Sequence, residues 1–236
     1  MESVDRLVVS TVVDNDAFVG GFLTSWGLSF HVRVERGGEE HEFLMDVDES
    51  PLVWIENAKK LGLEPKRIEG IFISHWHFDH FGALSEVYPL TGGAKVYGLA
   101  PSPLGGIDVV PCERPTTIYP GVMTTGSLGR AIREHGLVIS VRDEGIVLLV
   151  GCSHPDVLNL LDKAIEASGI DRVLAVMGGF HVSSRRDGER IGEGMLERGV
   201  KMVAPMHCTG YEARDAIRSV VGDRYLENGA GRVIEF

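Results

Sequence analysis

Ile71-Phe72-Ile73-Ser74-His75-Trp76-His77-Phe78-Asp79-His80, residues 71–80, sets three histidines and an aspartate within six positions, directly after an apolar run that reads as a strand. In extended backbone, residues two apart point the same way, so His75 and His77 are placed to share one metal ion. Asp79 and His80 lie beyond the turn and can face a second ion. Imidazole and carboxylate together suit Zn²⁺, and also Mn²⁺ or Fe. A solvated loop with chance histidines is a poor competitor at this density. A closed structural site is a better one, but such zinc sites are mostly cysteine-rich.

Outward from this stretch, short apolar runs alternate with helical patterns. Residues 6–13 read as a buried strand, and 28–35 with 42–47 as a hairpin turning at Arg36-Gly37-Gly38-Glu39. Ser50-Pro51 supplies an N-cap and an N1 proline for a helix over 51–61 that stops before Gly62. Residues 68–74 form the strand that feeds the histidine run, and Gly82–Tyr88 reads as a helix. Residues 94–150 look mostly β, with a tight turn at 142–145. Then follow helix 155–167, strand 172–177, helix 187–198, strand 201–204, helix 210–220 and a terminal strand. Hairpins come first in each half and helices follow. That order predicts an α/β fold, a four-layer αβ/βα sandwich, formed by a single domain over 1–236.

Three further histidines sit at strand-to-loop junctions: His154, His181 and His207. With these in place the sequence resembles the metallo-β-lactamase superfamily, whose hallmark is His-X-His-X-Asp-His after a strand. Asp46 in Leu44–Ser50 resembles the early aspartate motif. His154 in Gly151-Cys152-Ser153-His154-Pro155 resembles the third motif, and His207 in Met206-His207-Cys208-Thr209-Gly210 the last ligand. Residues 12–15 (VVDN), 27–29 (GLS), 178–181 (GGFH) and the two cysteine-bearing motifs together resemble the branch of β-lactamase superfamily II metal-dependent hydrolases. That branch also includes dihydropterin–ribofuranosylaminobenzene phosphate synthases.

The resemblance implies two divalent metal ions, zinc before Mn²⁺ or Fe. His75, His77 and His154 would hold the first, and Asp79, His80 and His207 the second. A metal-activated hydroxide would be the nucleophile, Asp79 would orient it or accept its proton, and Asp46 would fix a ligand histidine from behind. One departure matters: where the superfamily mostly has a bridging aspartate, this chain has His181, read as a ligand or, failing that, a residue supporting a ligand from behind or a substrate contact. One carboxylate fewer leaves the site more positive and favours an anionic small-molecule substrate. Asp48 stands where the superfamily often has glycine; a helix cap or solvated turn is the expected role.

Weaker candidates for substrate contacts are Asn15, Thr209 at a helix start, and Arg185. Each has an ordinary alternative: an Asx turn, a threonine cap and a solvated helix start. Cys152 and Cys208 neighbour proposed ligands and read as small buried residues, with a soft ligand or nucleophile as the other option. Trp76 and Phe78 read as packing or pocket wall. His31, His41 and His135 are given no chemistry.

The net charge of −11 and the absence of any Lys/Arg run argue against nucleic-acid or anionic-membrane partners. No run is long and apolar enough for a membrane span, and no basic n-region opens the chain, so a cytoplasmic location is expected. Three widely spaced cysteines argue against a disulfide framework. The chain has no Gln, four Asn, and 17 Arg among 23 basic residues; a thermophilic source and a GC-rich genome explain this equally. The expected activity is metal-dependent hydrolysis of an anionic ester or phosphoester. The alternatives are the branch's synthase chemistry, a transferase with a diphosphate leaving group, and a non-catalytic metal-binding module. The oxygen-reducing diiron branch is disfavoured because it usually has Glu where this chain has His77.

Overall fold

The structure, a computed structural model, describes all residues 1–236. The chain forms two compact units. One comprises Val4–Arg114 and Gly229–Phe236, the other Met1–Ser3 and Pro115–Asn228.

The first unit is built on a seven-stranded sheet. Its strands are β1 (Arg6–Val13), β2 (Ser29–Arg36), β3 (Glu39–Met45), β4 (Ile68–Phe72), β5 (Lys95–Gly98), β6 (Val109–Pro111) and the C-terminal β13 (Val233–Glu235). The order is β13-β1-β2-β3-β4-β5-β6. The β13-β1-β2-β3 pairings are antiparallel and the β3-β4-β5-β6 pairings parallel. Gly37 and Gly38 both have positive φ, +63° and +85°, so β2 and β3 join through a tight two-residue turn. Helix α1 (Pro51–Lys60) starts as expected, with the Ser50 hydroxyl accepting from the Val53 N–H, and ends before Gly62 at φ +69°. Its Trp54 and Ala58 pack with Val12, Leu44, Ile71, Leu84 and Val87 as this unit's core.

The helix expected over Gly82–Tyr88 is shortened to one turn, α3 (Leu84–Val87), which follows a separate turn, α2 (Phe78–Phe81), and runs into a 3-10 turn at Tyr88–Thr91. Pro89 cannot continue the ladder. Gly82 marks a close approach: a Cβ there would lie 2.7 Å from the Phe78 carbonyl and 2.9 Å from the Glu49 Cα.

The second unit has a six-stranded sheet made of β7 (Thr117–Tyr119), β8 (Val122–Thr124), β9 (Leu137–Val141), β10 (Gly145–Val150), β11 (Val173–Gly179) and β12 (Met202–Met206), in the order β12-β11-β10-β9-β8-β7. β10, β11 and β12 run parallel, and β9 is antiparallel to β10. Helices α4 (Val157–Ser168), α5 (Arg185–Glu197) and α6 (Tyr211–Val221) supply Leu160, Leu161, Ile191, Met195 and Ile217 to a core with Ile146, Leu148 and Val176. Each unit is thus a sheet with helices packed on it, the αβ and βα halves expected from the sequence. No helix is long and apolar enough to cross a membrane.

Gly178 is a conformational requirement of the second sheet. Its φ is +130°, and a Cβ would lie 2.0 Å from the Val150 carbonyl oxygen on β10. Backbone cannot yield at that distance, so Gly178→Ala is expected to cost about 3 kcal/mol or more, combining strain and steric overlap. A fall in melting temperature of about 6–12 °C is the readout at this chain length; a fall under ~2 °C would show that the strand end yields freely.

Candidate metal centre

In both units the candidate residues stand at the carboxyl ends of parallel strands, where open α/β sheets commonly bind ligands. In the first unit, β3 and β4 end side by side, with Met45 paired to Phe72. Asp46 follows β3 and Ser74 follows β4. The Asp46 carboxylate is fully buried and makes three short bonds: it accepts from the Ser74 N–H at 2.7 Å, the Ser74 hydroxyl at 2.7 Å and His80 Nδ1 at 2.7 Å. An ionised carboxylate only accepts, so His80 carries its proton on Nδ1 and leaves Nε2 as the nitrogen for a metal. The Ser74 hydroxyl also lies 2.9 Å from His75 Nδ1, which orients that ring in the same sense.

His75, His77 and His80 form one cluster of rings, with centroids 4.7 Å (His75–His77) and 4.3 Å (His75–His80) apart. Asp79, half-buried, places its carboxylate 3.6 Å from His80 Nε2. Trp76 leaves the cluster, donates to the Leu99 carbonyl and stacks edge-on against Phe81. Phe78 is 62% exposed and touches Phe81, so it is not interior packing.

In the second unit, the loops after β10, β11 and β12 carry His154, His181 and His207. The backbone of Ser153, His181 and His207 adopts positive φ (+62°, +50° and +50°), a costly conformation for these residues that clusters at functional sites. The His154 and His181 rings are 4.5 Å apart. Cys152 is buried and Cys208 half-buried; their sulfurs and a His181 ring nitrogen lie within 4.8 Å of one another. The Cys208 thiol is held well below its ordinary range, chiefly by its hydrogen bond with Cys152, with help from His181 and the charge of His207 and against the opposing effect of burial.

Two residues that sequence reasoning missed hold these loops. Glu134, fully buried, accepts from the backbone N–H groups of Cys152 (2.8 Å), Ser153 (2.8 Å) and His154 (2.9 Å), and from His154 Nδ1 (2.9 Å). It shapes the third motif and again leaves Nε2 for a metal. Arg214 on α6 donates to the carbonyls of Thr209 (2.7 Å) and His207 (3.3 Å), bracing the last motif. No local spacing announces either residue. A charged residue beside an apolar strand was the only available signal for Glu134.

The remaining candidates fall as follows. The Asn15 side chain accepts from the Gly27 N–H at 3.3 Å, closing a loop. Thr209 is not the helix cap, because Gly210 occupies that position. The Thr209 hydroxyl instead accepts from the Phe180 N–H at 2.9 Å and is buried. Arg185 is exposed at the start of α5, 3.8 Å from Glu189. His31 is buried against Glu42 at 2.9 Å, and His135 is buried as well.

Asp48 is neither a solvated turn nor the helix cap, which is Ser50. It is fully buried and accepts from the Ser50 N–H at 3.1 Å. Burial pushes its carboxyl up to about 6. The folded value exceeds the unfolded one of about 3.9, so the folded chain binds more protons between these values and stability falls as pH rises through that window. Asp48→Asn is therefore expected to stabilise the metal-free protein by up to ~3 kcal/mol at pH 8, an advantage lost by about pH 4. Urea unfolding at both pH values measures it; an equal gain at the two would contradict a buried charge as the cause.

The family model described as metallo-beta-lactamase superfamily matches residues 40–154, from β3 through the third motif. The 7,8-dihydropterin-6-methyl-4-(beta-D-ribofuranosyl)-aminobenzene-5'-phosphate synthase of Methanocaldococcus jannaschii is 28% identical, and the match covers 99% of this chain and 98% of that protein. Among solved structures, a metal-dependent hydrolase of the beta-lactamase superfamily superposes with a TM-score of 0.78 at 26% identity, covering 98% of this chain and 99% of that one. The metallo-beta-lactamase fold protein YhfI from Bacillus subtilis gives a TM-score of 0.67 at 13% identity, over 98% of this chain and 100% of that one, a likeness of fold alone.

Proposed function

Starting from a chain that belongs to the metallo-beta-lactamase superfamily, we propose a metal-dependent enzyme that hydrolyses a small anionic ester or phosphoester. The proposed ligands are His75, His77 and His154 for one divalent ion and Asp79, His80 and His207 for a second, with zinc favoured by the donor chemistry. The observation that carries the reading is a shared detail of three of these histidines. His75, His80 and His154 each have Nδ1 held by an oxygen partner, namely Ser74, Asp46 and Glu134. Metal-ligating histidines are fixed in this way, with one nitrogen anchored and the other presented.

When bound, the ions would lower the pKa of water and neutralise charge on the substrate oxygens. The protein's own part is to hold the donors and to move a proton. Asp79 is half-buried beside His80 and is the proposed acceptor of the proton from the attacking water. It is also the only carboxylate among the six proposed ligands, so two divalent ions leave the site positive. That favours an anionic substrate.

Chelator-treated protein should lose, and zinc should restore, cleavage of a generic aryl phosphodiester, with oxygen from labelled water appearing in the product. The near end-to-end match to the synthase supports a second reading. There, a dihydropterin diphosphate condenses with a ribosylaminobenzene phosphate and releases diphosphate. Condensed pterin product without label from water would replace the hydrolytic reading with this one. Neither product from zinc-loaded protein would leave a metal-binding module.

A further inference from the structure

The three parallel strands of the second unit share a regularity. β10 ends at Val150, β11 at Gly179 and β12 at Met206. The second residue past each end is Cys152, His181 and Cys208 respectively. Because the strands are neighbours in the order β12-β11-β10 and run parallel, these equal offsets bring three donors to one edge of one sheet.

Their donor atoms lie within 4.8 Å of one another. Gly179 makes room for them: a Cβ there would stand 2.6 Å from the Cys208 sulfur and 2.5 Å from the Gly151 carbonyl oxygen. Ser153 locks the first loop to the middle strand, its hydroxyl donating to the Gly179 carbonyl at 2.7 Å. Burial grades from Cys152 through Cys208 to His181, which is exposed.

We propose that Cys152, His181 and Cys208 hold a transition-metal ion, zinc or a similarly thiophilic one, with a fourth position open to water or a substrate atom. Two sulfurs and one imidazole form the donor set of an open zinc site with three protein ligands. The proposal goes beyond the hydrolytic reading. It gives His181 to the two cysteines, whereas the sequence placed it where a bridging aspartate usually stands. Cys112, the third cysteine, is buried in the first unit and belongs to none of the clustered donor groups.

The test is a cobalt(II) titration of full-length, chelator-treated and reduced protein. A near-ultraviolet sulfur-to-cobalt charge-transfer band is expected, weakened in Cys152→Ser and in Cys208→Ser, abolished in the double variant, and retained in His77→Ala/His80→Ala. No band at saturating cobalt, or a band surviving in the double variant, overturns the proposal. If a serine variant does not fold, alkylation of the wild-type protein by iodoacetamide decides. Zinc should slow modification of Cys208 at least tenfold, and chelator should restore it; an unchanged rate overturns the proposal. The two readings fail separately. An absent band with zinc-dependent turnover intact sinks only the sulfur site, and a band behaving as expected in a zinc-loaded protein without hydrolytic turnover supports the sulfur site and sinks only the hydrolytic reading.

Discussion

His77→Ala is expected to lower metal-dependent turnover at least about a thousandfold while leaving the fold nearly unchanged. The two halves of this expectation have different causes. His77 is half-buried, its ring packs edge-on against His75, and it occupies the N-cap position of α2 without making a side-chain cap bond. Removing the imidazole deletes no helix cap and trims a ring contact of a half-buried side chain, so the stability change should stay within about 1 kcal/mol. A lost metal ligand, by contrast, removes several kcal/mol of charge stabilisation in the transition state, and each ~1.4 kcal/mol is tenfold in rate. Turnover and thermal melting measured on the same preparation separate the two. Turnover within about threefold of wild type would remove His77 from the site.

The second large effect falls on Glu134. Four N–H donors converge on its buried carboxylate, three of them from consecutive backbone positions. Glu134→Ala strands those donors in a buried loop, at about 1–3 kcal/mol each before water enters, so a net loss of roughly 3–5 kcal/mol is expected. That corresponds to a melting point lower by about 6–20 °C. Glu134→Gln is the sharper probe. It keeps the volume but leaves one acceptor oxygen for four donors, so an amide NH₂ faces either the Cys152 and Ser153 N–H groups or His154, and the His154 ring is held less firmly. Zinc affinity should fall about 10–100-fold, the usual cost of losing such a partner. An unchanged affinity in a folded Glu134→Gln protein would reduce Glu134 to a loop brace.

What the sequence showed and what it hid divide along a physical line. The run from His75 to His80 could be read because strand periodicity and ligand spacing are local, and so could α1, whose Ser50-Pro51 start and Gly62 stop lie beside it in the chain. The αβ and βα halves followed from the order of hairpins and helices. Glu134 and Arg214 were hidden because their partners are backbone groups 5 to 20 residues away, brought near only by the sheet and helix they ride on. Asp48 misled because a polar residue before a helix cap normally meets water, whereas here tertiary packing closes over it. The stretch Gly82–Tyr88 misled because its helical composition outweighed Pro89 and the tight approach at Gly82. The cysteines were visible as neighbours of ligands, but only the common edge of three parallel strands puts them together with His181.

The central claim is that the run from His75 to His80 supplies metal ligands, and the most direct test is the zinc retained by full-length protein. Wild type and a His77→Ala/His80→Ala double variant would be stripped with chelator, reloaded with zinc, freed of excess by gel filtration and assayed for metal per chain. Wild type should keep its zinc, and the folded double variant should keep at least one equivalent less. Equal zinc contents in the two would contradict it.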